Sequence, residues 1–427
     1  MIDSLYNKYL NSKGVFTDSR KIIQDGIFVA LKGPNFNGNE YAADAILNGA
    51  KYAVVDEKKY FLDERTILVQ DCLDALQQLA TYHRSQLNNP VLGITGSNGK
   101  TTTKELITAV LSNKYKAYST PGNFNNQIGL PLTLLQSSLD TEILILEMGA
   151  NHIGEIAALC DIGNPTHGLI TNIGKAHLEG FGDFQGVITA KSELYKHIIE
   201  NDGTLFVHSD DEILMHLSEK AKIKYHYGGS NENGIYGSIV EHIPTLVIEC
   251  SDDTNTTTIN TQLTGTYNLS NILAAIAIGR YFEVPMRDIQ EAISNYAPTN
   301  NRSQLIEHFG AKVILDAYNA NPSSITEAIQ NLSGMQGKKM AILGDMMELG
   351  EHCQNEHRQI IDLVLKANLD KIILVGSYFK EVLLSTDRID SFETTEELKE
   401  YLSNANINMD WILIKGSRKM KLEELID

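Results

Sequence analysis

The sequence has few cysteines, a deficit of basic residues and no long apolar run, and each shortage excludes a class of protein. The four cysteines are far apart and lack the spacing of a metal site, so we expect core thiols in a reducing compartment. No segment approaches the roughly 18 apolar residues of a membrane-spanning helix, and the N-terminus has no basic region followed by an apolar one. We therefore expect a cytoplasmic protein without membrane insertion.

The charge balance argues against partners that carry many negative charges. Lysine and arginine number 36 against 54 aspartates and glutamates, which gives a formal net charge of −18. Non-specific binding to nucleic acid or to an anionic membrane is disfavoured, because like charges repel. An anionic small molecule would have to be bound by local lysines, arginines and backbone amides.

The clearest functional pattern is VLGITGSNGKTTT at residues 91–103, where an apolar strand runs into a glycine-punctuated turn and a helix. Gly96 and Gly99 allow the backbone to approach a phosphate, whose charge the loop amides and the helix dipole would favour. Lys100 can reach the β- and γ-phosphates, and Thr101 offers a hydroxyl to Mg²⁺. The pattern predicts a nucleoside-triphosphate site.

One residue departs from the strict P-loop pattern, G-x-x-x-x-G-K-[ST]. Ile94 stands where the first glycine belongs. The alternative is an ordinary glycine-rich turn, but a Gly-Lys-Thr triplet between a strand and a helix favours phosphate binding.

Two further chemical groups follow predicted strands of the same region. Glu147 ends the apolar strand at 142–147, and at the carboxyl edge of a doubly wound sheet it could hold Mg²⁺ near the phosphates. Capping the next helix is the competing interpretation. His177 follows the strand at 168–173, whereas Lys191, on the next helix, is on sequence alone most simply a solvated lysine.

Asparagines mark two more segments. Residues 120–129 include Asn126 and two neighbouring asparagines, whose amides can donate to substrate oxygens or shape a turn. Asn268 and Asn271 share one face of a helical turn and could read an adenine edge or cap the helix. The sequence leaves both alternatives open.

Strands alternate with helices along the chain, which predicts an α/β fold, and the length suggests three domains of about 150 residues each. We expect a smaller N-terminal α/β domain at 1–88, a central P-loop domain with a doubly wound, mostly parallel sheet at 89–298, and a Rossmann-like C-terminal domain at 299–427. Short β-like runs within 204–250 suggest an antiparallel flank of the central sheet. The third domain has no G-x-G-x-x-G fingerprint and need not bind a dinucleotide.

Polar loops at strand ends suggest ligand sites in the outer domains. In the first domain, residues 17–20 and 32–38 could bind a ligand or form plain turns. In the third domain, polar residues follow strands at 316–322, 344–346 and 415–418. Their arrangement suggests a second binding surface that faces the first.

Together these motifs resemble those of the Mur ligase family, and the resemblance extends over nearly the whole chain. The segments that carry it are 17–20, 95–103, 123–131, 147–151, 171–181, 190–193, 265–271, 316–321, 344–350 and 415–418. A phosphate loop without the first glycine is typical of this family, so Ile94 supports the resemblance. Tyr267 departs from the family, which often has histidine at this position.

The resemblance implies roles for individual residues. ATP would be bound by Gly96, Ser97, Asn98, Gly99, Lys100, Thr101, Thr102, Asn271, Arg302 and Asp316. Mg²⁺ would be bound by Thr101, Glu147, His177 and Lys191, with Lys191 carbamylated and therefore anionic. The catalytic set would be Lys100, Glu147, His177 and Lys191. The uridine-diphosphate side would contact Ser19, Arg20, Lys32 and Gly33, and the acceptor and incoming dipeptide would contact Asn126, Tyr318, Asn319, Lys415 and Ser417.

The activity implied by the resemblance is ATP-dependent amide-bond formation in cytoplasmic peptidoglycan precursor synthesis, with ATP and Mg²⁺ as cofactors. A monomeric ligase would join D-alanyl-D-alanine to a UDP-N-acetylmuramoyl-tripeptide through an acyl phosphate. Alternatives are a sibling ligase that adds diaminopimelate or lysine, a folylpolyglutamate synthetase, and a P-loop switch that binds nucleotide without ligation. The third residue of the tripeptide, lysine or diaminopimelate, stays open.

Overall fold

The computed structural model describes residues 2–229, 234–251, 256–384 and 386–426. Within these ranges the strands are β1 (Val15–Phe16), β2 (Ile27–Val29), β3 (Lys32–Gly33), β4 (Phe36–Asn37), β5 (Tyr52–Val55), β6 (Thr66–Leu68), β7 (Val91–Thr95), β8 (Ala117–Ser119), β9 (Ile143–Glu147), β10 (His167–Ile170), β11 (Thr204–His208), β12 (Ile223–Gly228), β13 (Ile235–Glu241), β14 (Val247–Ser251), β15 (Thr256–Asn260), β16 (Gln304–His308), β17 (Ala311–Asp316), β18 (Lys339–Gly344), β19 (Lys371–Val375), β20 (Ile389–Phe392) and β21 (Trp411–Lys415). The α-helices are α1 (Ile2–Leu10), α2 (Ala42–Leu47), α3 (Cys72–Ser85), α4 (Lys100–Leu111), α5 (Gly129–Gln136), α6 (Glu155–Gly163), α7 (Leu178–Phe181), α8 (Phe184–Glu200), α9 (Glu212–Leu217), α10 (Asn268–Tyr281), α11 (Met286–Asn295), α12 (Pro322–Gly334), α13 (Cys353–Lys366), α14 (Ser377–Val382) and α15 (Thr395–Asn404).

The strands assemble into three main sheets and the small hairpin β3–β4. Their orders are β1-β2-β5-β6, then β15-β14-β13-β12-β11-β10-β7-β9-β8, and finally β16-β17-β21-β18-β19-β20. Neighbours within the main sheets are parallel, except along β13-β14-β15 and between β16 and β17. The predicted three-domain α/β fold with a mostly parallel central sheet is confirmed. The domain boundaries near residues 88 and 298 stay predictions.

The antiparallel flank of the central sheet is shorter than expected for 204–250. β11 pairs in parallel with β10 and β12, and antiparallel pairing begins only at β13. The reason is the connection: α8 and α9 return the chain for parallel pairing, whereas residues 242–246 between β13 and β14 are too few for a crossover.

Packing on both faces holds β7, the strand that leads into the phosphate loop. Leu92 and Ile94 join a buried cluster with side chains of α4 and α10, while Val91 joins the cluster on the opposite face. Burying one such aliphatic side chain contributes roughly 1.5–3 kcal/mol. The two clusters therefore fix β7 relative to α4, which begins directly after the loop.

The carboxyl edges of the second and third sheets meet at a cleft. Asn321, which precedes α12, donates from Nδ2 to Asn98 Oδ1 in the phosphate loop at 2.8 Å. Beyond β10, Lys175 Nζ contacts Glu356 Oε1 on α13 at 2.7 Å. Because parallel strands carry ligand sites at their carboxyl edges, both sheets present such sites to one cleft.

None of the helices in the described ranges combines the length and the apolar character that crossing a bilayer requires. All four cysteines are present as thiols, and none forms a disulfide. Cys72, Cys160 and Cys250 are buried as expected, whereas Cys353 is only partly buried.

Candidate active site

A cavity of about 980 Å³ lies at this cleft. The predicted site residues that line it are Ser97, Asn98, Gly99, Lys100, Thr101, Thr102, Asn126, Glu147, His177, Asn271, Arg302, Asp316, Tyr318, Asn319 and Lys415. Those that are not among its lining residues are Ser19, Arg20, Lys32, Gly33, Gly96, Lys191 and Ser417. The structure thus gathers the phosphate loop, the end of β9 and the ends of two C-terminal strands.

The phosphate loop has the geometry of an anion site. Gly96 and Gly99 have φ angles of 145° and 77°, a region that favours glycine. α4 begins at Lys100, so the free N–H groups of its first turn are available to an anion. Lys100 Nζ donates to the carbonyls of Gly96 at 2.6 Å and Ser97 at 3.1 Å. Removal from water and then the charge of Arg302 lower the pKa of Lys100 to about 8, although Glu147 opposes this.

Glu147 is buried at the end of β9, with 1% of its surface exposed. Its backbone N–H donates to Thr120 Oγ1 at 2.9 Å, and Asn125 Nδ2 donates to its Oε1 at 2.8 Å. Its Oε2 has no hydrogen bond and lies 3.7 Å from Lys104 Nζ. α6 begins only at Glu155, so the helix-capping alternative for Glu147 is wrong.

His177 contacts the C-terminal domain. Its Nδ1 lies 2.5 Å from Glu348 Oε2, and this contact lowers the pKa of Glu348. The backbone N–H of Glu179 also donates to the Glu348 carbonyl at 3.1 Å. His177 therefore stands where the two domains close over the cavity.

Lys191 is buried rather than solvated, with 1% of its surface exposed, so the interpretation from sequence alone is wrong. α8 turns Val187, Lys191, Leu194 and Ile198 inward, at the spacing of one helical face. Lys191 Nζ lies 5.2 Å from the centre of the Phe181 ring. Burial, and then the charge of Lys100, lower the pKa of Lys191 to about 7.

The two asparagines of α10 connect this helix to its surroundings. Asn271 Nδ2 donates to Asn268 Oδ1 at 2.9 Å, and Thr103 Oγ1 on α4 donates to Asn271 Oδ1 at 3.0 Å. Asn268 Nδ2 donates to the Thr264 carbonyl at 2.8 Å. The N-cap residue is Tyr267, and no side chain caps the helix, so the capping alternative for the asparagines is wrong.

The C-terminal strand ends supply cations to the opposite wall. The guanidinium of Arg302 lies 3.6 Å from the centre of the Tyr318 ring. Lys415 Nζ contacts Asp316 Oδ2 at 2.6 Å and donates to the Asn319 carbonyl at 3.2 Å. These contacts fix Arg302, Tyr318 and Lys415 across from the phosphate loop.

Ser417 lies behind this wall. Its hydroxyl oxygen accepts from the Met347 N–H at 3.0 Å, and its hydroxyl donates to the Asp345 carbonyl. Ser417 therefore shapes the loop after β18 in this structure.

The residues predicted for uridine diphosphate lie in the N-terminal domain, apart from the cavity lining. Arg20 Nε contacts Asp18 Oδ1 at 2.8 Å in solvent. Lys32 Nζ contacts Asp56 Oδ1 at 2.8 Å. The structure does not bring these residues together with the phosphate loop.

Comparison with known proteins identifies the family. Residues 94–279 match the Mur ligase middle domain, and residues 301–418 match the domain described as Mur ligase, glutamate ligase domain. The chain is 36% identical to UDP-N-acetylmuramoyl-tripeptide--D-alanyl-D-alanine ligase of Bacillus subtilis (strain 168), over 97% of this chain and 92% of the relative. The chain belongs to the Mur ligase family. The resemblance stated from sequence is confirmed, and this Mur ligase is an enzyme of the ligase class.

Solved structures agree with this assignment. A crystal structure of MurF from Acinetobacter baumannii has a TM-score of 0.89 and 30% identity, and covers 100% of this chain and 97% of its own. MurF ligase from Thermotoga maritima, in complex with ADP, has a TM-score of 0.86 and 28% identity, with 98% and 96% covered. Both neighbours therefore match over all three domains of this Mur ligase.

Sequence reasoning assigned no role to two residues that hold the phosphate loop of this Mur ligase. Asn172 accepts from the Ser97 N–H through its carbonyl and from the Asn98 N–H through Oδ1, both at 3.0 Å. Thr171 Oγ1 donates to the Asn98 carbonyl at 2.6 Å. The available signal was a polar pair directly after the apolar strand β10.

Proposed function

We propose that this Mur ligase joins D-alanyl-D-alanine to a UDP-N-acetylmuramoyl-tripeptide and converts ATP to ADP and phosphate. The observation that carries the proposal is the shared cavity, where the phosphate loop and Glu147 face Asn319 and Lys415. The relative from Bacillus subtilis, which is named for this reaction, supports the choice of substrates. The ADP complex of the Thermotoga maritima neighbour supports the nucleotide.

The proposed reaction activates a carboxylate before an amine attacks it. A carboxylate oxygen of the tripeptide bonds to the γ-phosphorus while the bond to the β–γ bridging oxygen breaks and ADP leaves. The dipeptide amine then attacks the acyl carbon, the tetrahedral intermediate expels phosphate, and the nitrogen loses a proton. Phosphoryl transfer depends mainly on positioned charge. Lys100 would supply a positive charge by giving up its hydrogen bonds to two loop carbonyls and donating to phosphate oxygens instead.

The residues present fit a magnesium ion beside the nucleotide. A buried carboxylate oxygen without a hydrogen-bond donor, Glu147 Oε2, is a ligand that a hard cation prefers. The described residues contain no group of three His, Cys, Asp or Glu side chains suited to a metal. Mg²⁺ commonly takes only one or two carboxylates, with phosphate oxygens and water completing its shell. When bound, the ion neutralises charge on the phosphates; Thr101, Glu147 and His177 would hold it.

Lys191 is proposed to carry a carbamate. An uncharged amine adds to CO₂ and loses a proton, and the lowered pKa of about 7 keeps much of Lys191 uncharged at neutral pH. Carbamylation would replace a buried cation close to Lys100 by an anion. The modified side chain could then contribute to a second magnesium site.

The remaining residues divide between nucleotide and substrates. We assign Asn271, Arg302 and Asp316 to the nucleotide, because they line the cavity beside the phosphate loop. The residues assigned to the acceptor and the dipeptide are Asn126, Tyr318, Asn319, Lys415 and Ser417. The residues assigned to uridine diphosphate are Ser19, Arg20, Lys32 and Gly33.

Water must be excluded from the acyl phosphate, which would otherwise be hydrolysed. Contacts between the domains, such as Lys175–Glu356, support domain closure over the cavity.

We further propose a cytoplasmic monomer. Four cysteines without a disulfide fit a reducing compartment. The cavity is lined by two domains of the same chain, so one copy contains all the elements described.

A coupled assay of ADP release tests the proposal. Release is expected only when both the UDP-muramoyl-tripeptide and D-alanyl-D-alanine are present, and mass spectrometry should detect the ligated product. Diaminopimelate and lysine serve as competing amines, with tripeptides carrying either third residue offered in parallel. Release that needs no amine, or that follows diaminopimelate or lysine instead, would overturn the assignment.

A further inference from the structure

Lys104 is a buried lysine of α4 that the proposed function leaves without a role. Only 2% of its surface is exposed, and it is not among the residues that line the cavity. Its Nζ donates to the carbonyls of Thr120 at 2.8 Å and Gly122 at 3.0 Å, and lies 3.7 Å from Glu147 Oε2. Burial of an ammonium is costly unless the charge is paired and hydrogen-bonded. This lysine satisfies both conditions at the base of the site.

The segment that Lys104 holds is itself bonded to Glu147. Thr120 Oγ1 accepts from the Glu147 N–H at 2.9 Å, and Asn125 Nδ2 donates to Glu147 Oε1 at 2.8 Å. The Gly149 N–H donates to the Asn125 carbonyl at 2.8 Å, and a Cβ at Gly149 would lie 2.9 Å from the Asn125 amide. Asn125 is therefore confined against the carboxylate, directly before Asn126 on the cavity wall.

Lys104 Nζ lies farther from Glu147 Oε2 than from the two carbonyl oxygens that it contacts. At 3.7 Å, Lys104 attracts the carboxylate but is too far for a hydrogen bond, while the two carbonyls hold its ammonium in place. Oε2 consequently keeps its electron pairs available to a cation. A closer lysine would compete with that cation for the same oxygen.

We propose that Lys104 is a positioning residue that fixes Glu147 and the segment 120–126 relative to each other. It would set the separation between the carboxylate on the nucleotide side and Asn126 on the acceptor side. The inference rests on the proposed function, since it concerns the same site. Small displacements matter here, because a shift of about 1 Å can cost on the order of 10²-fold in rate.

The test compares Lys104→Met with Lys339→Met in the full-length protein. Lys339 is also buried, and its Nζ also donates to two carbonyls, of Ser333 at 3.1 Å and Met335 at 3.0 Å. It lies at the start of β18, whereas the cavity lies at the carboxyl edge of that sheet. Both variants lose a buried ammonium and two hydrogen bonds, but only Lys104→Met removes a charge beside Glu147.

Two readouts separate positioning from general stabilisation. Calorimetry measures the Kd of the magnesium complex of a non-hydrolysable ATP analogue, and steady-state kinetics measures kcat and each KM. We expect Lys104→Met to raise that Kd about tenfold or more and to lower kcat by about 10²-fold. Lys339→Met should change both by less than about twofold, while both variants lower Tm. A folded Lys104→Met whose Kd and kcat match those of Lys339→Met would overturn the proposal.

A second variant covers the case in which Lys104→Met does not fold. Lys104→Gln keeps an amide donor for the loop carbonyls but removes the charge near Glu147, so the same direction of change is expected. A folded Lys104→Gln with wild-type Kd and kcat would count against the positioning role. If the wild-type chain bound the nucleotide analogue but ligated nothing, the proposed function would fail while the comparison of Kd values still decided on Lys104.

Discussion

The central cavity and the N-terminal sheet edge use their cations in opposite ways. At the N-terminal edge, Arg20 and Lys32 are exposed and already paired with Asp18 and Asp56. In the cavity, Lys100 is bonded to carbonyls of its own loop, and its pKa is lowered to about 8 by removal from water. Exposed ion pairs such as Arg20–Asp18 contribute little to stability, so a ligand can replace one partner easily.

This difference suggests that the residues that bind the substrate and the residues that act in the reaction lie in different parts of the fold. Buried charges interact more strongly with a phosphate than charges in water do, and the groups around them need little rearrangement during the reaction. Exposed, exchangeable pairs can hold a substrate equally well before and during the reaction. We therefore expect changes at the cavity to lower kcat, and changes at the N-terminal edge to raise KM.

The largest effect is expected from Lys100→Ala. Loss of one charge that stabilises the transferred phosphoryl group should lower kcat by about 10²–10³-fold or more, measured as ADP release. Lys116→Ala, which removes an exposed lysine paired with Asp140, is the control and should behave like the wild type. Near-wild-type turnover of Lys100→Ala would falsify the phosphate-loop assignment.

Substitutions that reverse or keep the charge of Lys191 test whether this buried lysine acts as an anion, in contrast to exposed lysines. If Lys191 acts as an anion after carbamylation, Lys191→Glu should retain about tenfold more activity than Lys191→Arg, a difference of about 1.4 kcal/mol in the barrier. The exposed Lys196 on the same helix provides matched Glu and Arg controls, which should differ little. The opposite ranking at position 191 would make the lysine an ordinary buried cation.

At the N-terminal edge, Lys32→Met should raise the KM for the UDP-muramoyl-tripeptide several-fold and leave kcat nearly unchanged. A uniform loss of binding has this kinetic signature. Lys59→Met is the matched control, because Lys59 is exposed and also contacts Glu57 at 3.2 Å. Equal KM values for the two variants would contradict a substrate contact at Lys32.

The smallest effect concerns salt. Ions screen exposed charges within a Debye length of about 10 Å at 0.1 M, and buried charges much less. Raising NaCl from 0.05 to 0.5 M should therefore raise the KM for the UDP-substrate about two- to threefold, with a smaller change in kcat. A salt effect confined to kcat would reverse the proposed division.

Features set by neighbouring residues were predictable from the sequence. The glycine turn, Lys100 and Thr101 belong to one short pattern, and the structure shows the positive φ angles that this pattern needs. Glu147 could be placed because it directly follows an apolar strand. Their assigned roles in catalysis stay predictions.

Features that depend on distant residues were missed or mistaken. Lys191 looked solvated because a single lysine on a helix usually is, although its spacing from Val187 and Leu194 signalled an inward face. Asn172 contacts a loop 74 residues earlier; the polar pair after β10 marked a candidate position, but no local pattern indicates which residue it contacts. The parallel pairing of β11 likewise depended on a helical connection whose direction only the fold shows.

By itself, the sequence determined the alternation of strands and helices and the phosphate loop, because these follow from contacts within a few residues. Only the tertiary structure decided which lysines lose water, which strand ends meet across the cleft, and which carboxylate oxygen stays free. Burial and electrostatic environment are sums over groups far apart along the chain, so folding must first bring those groups together.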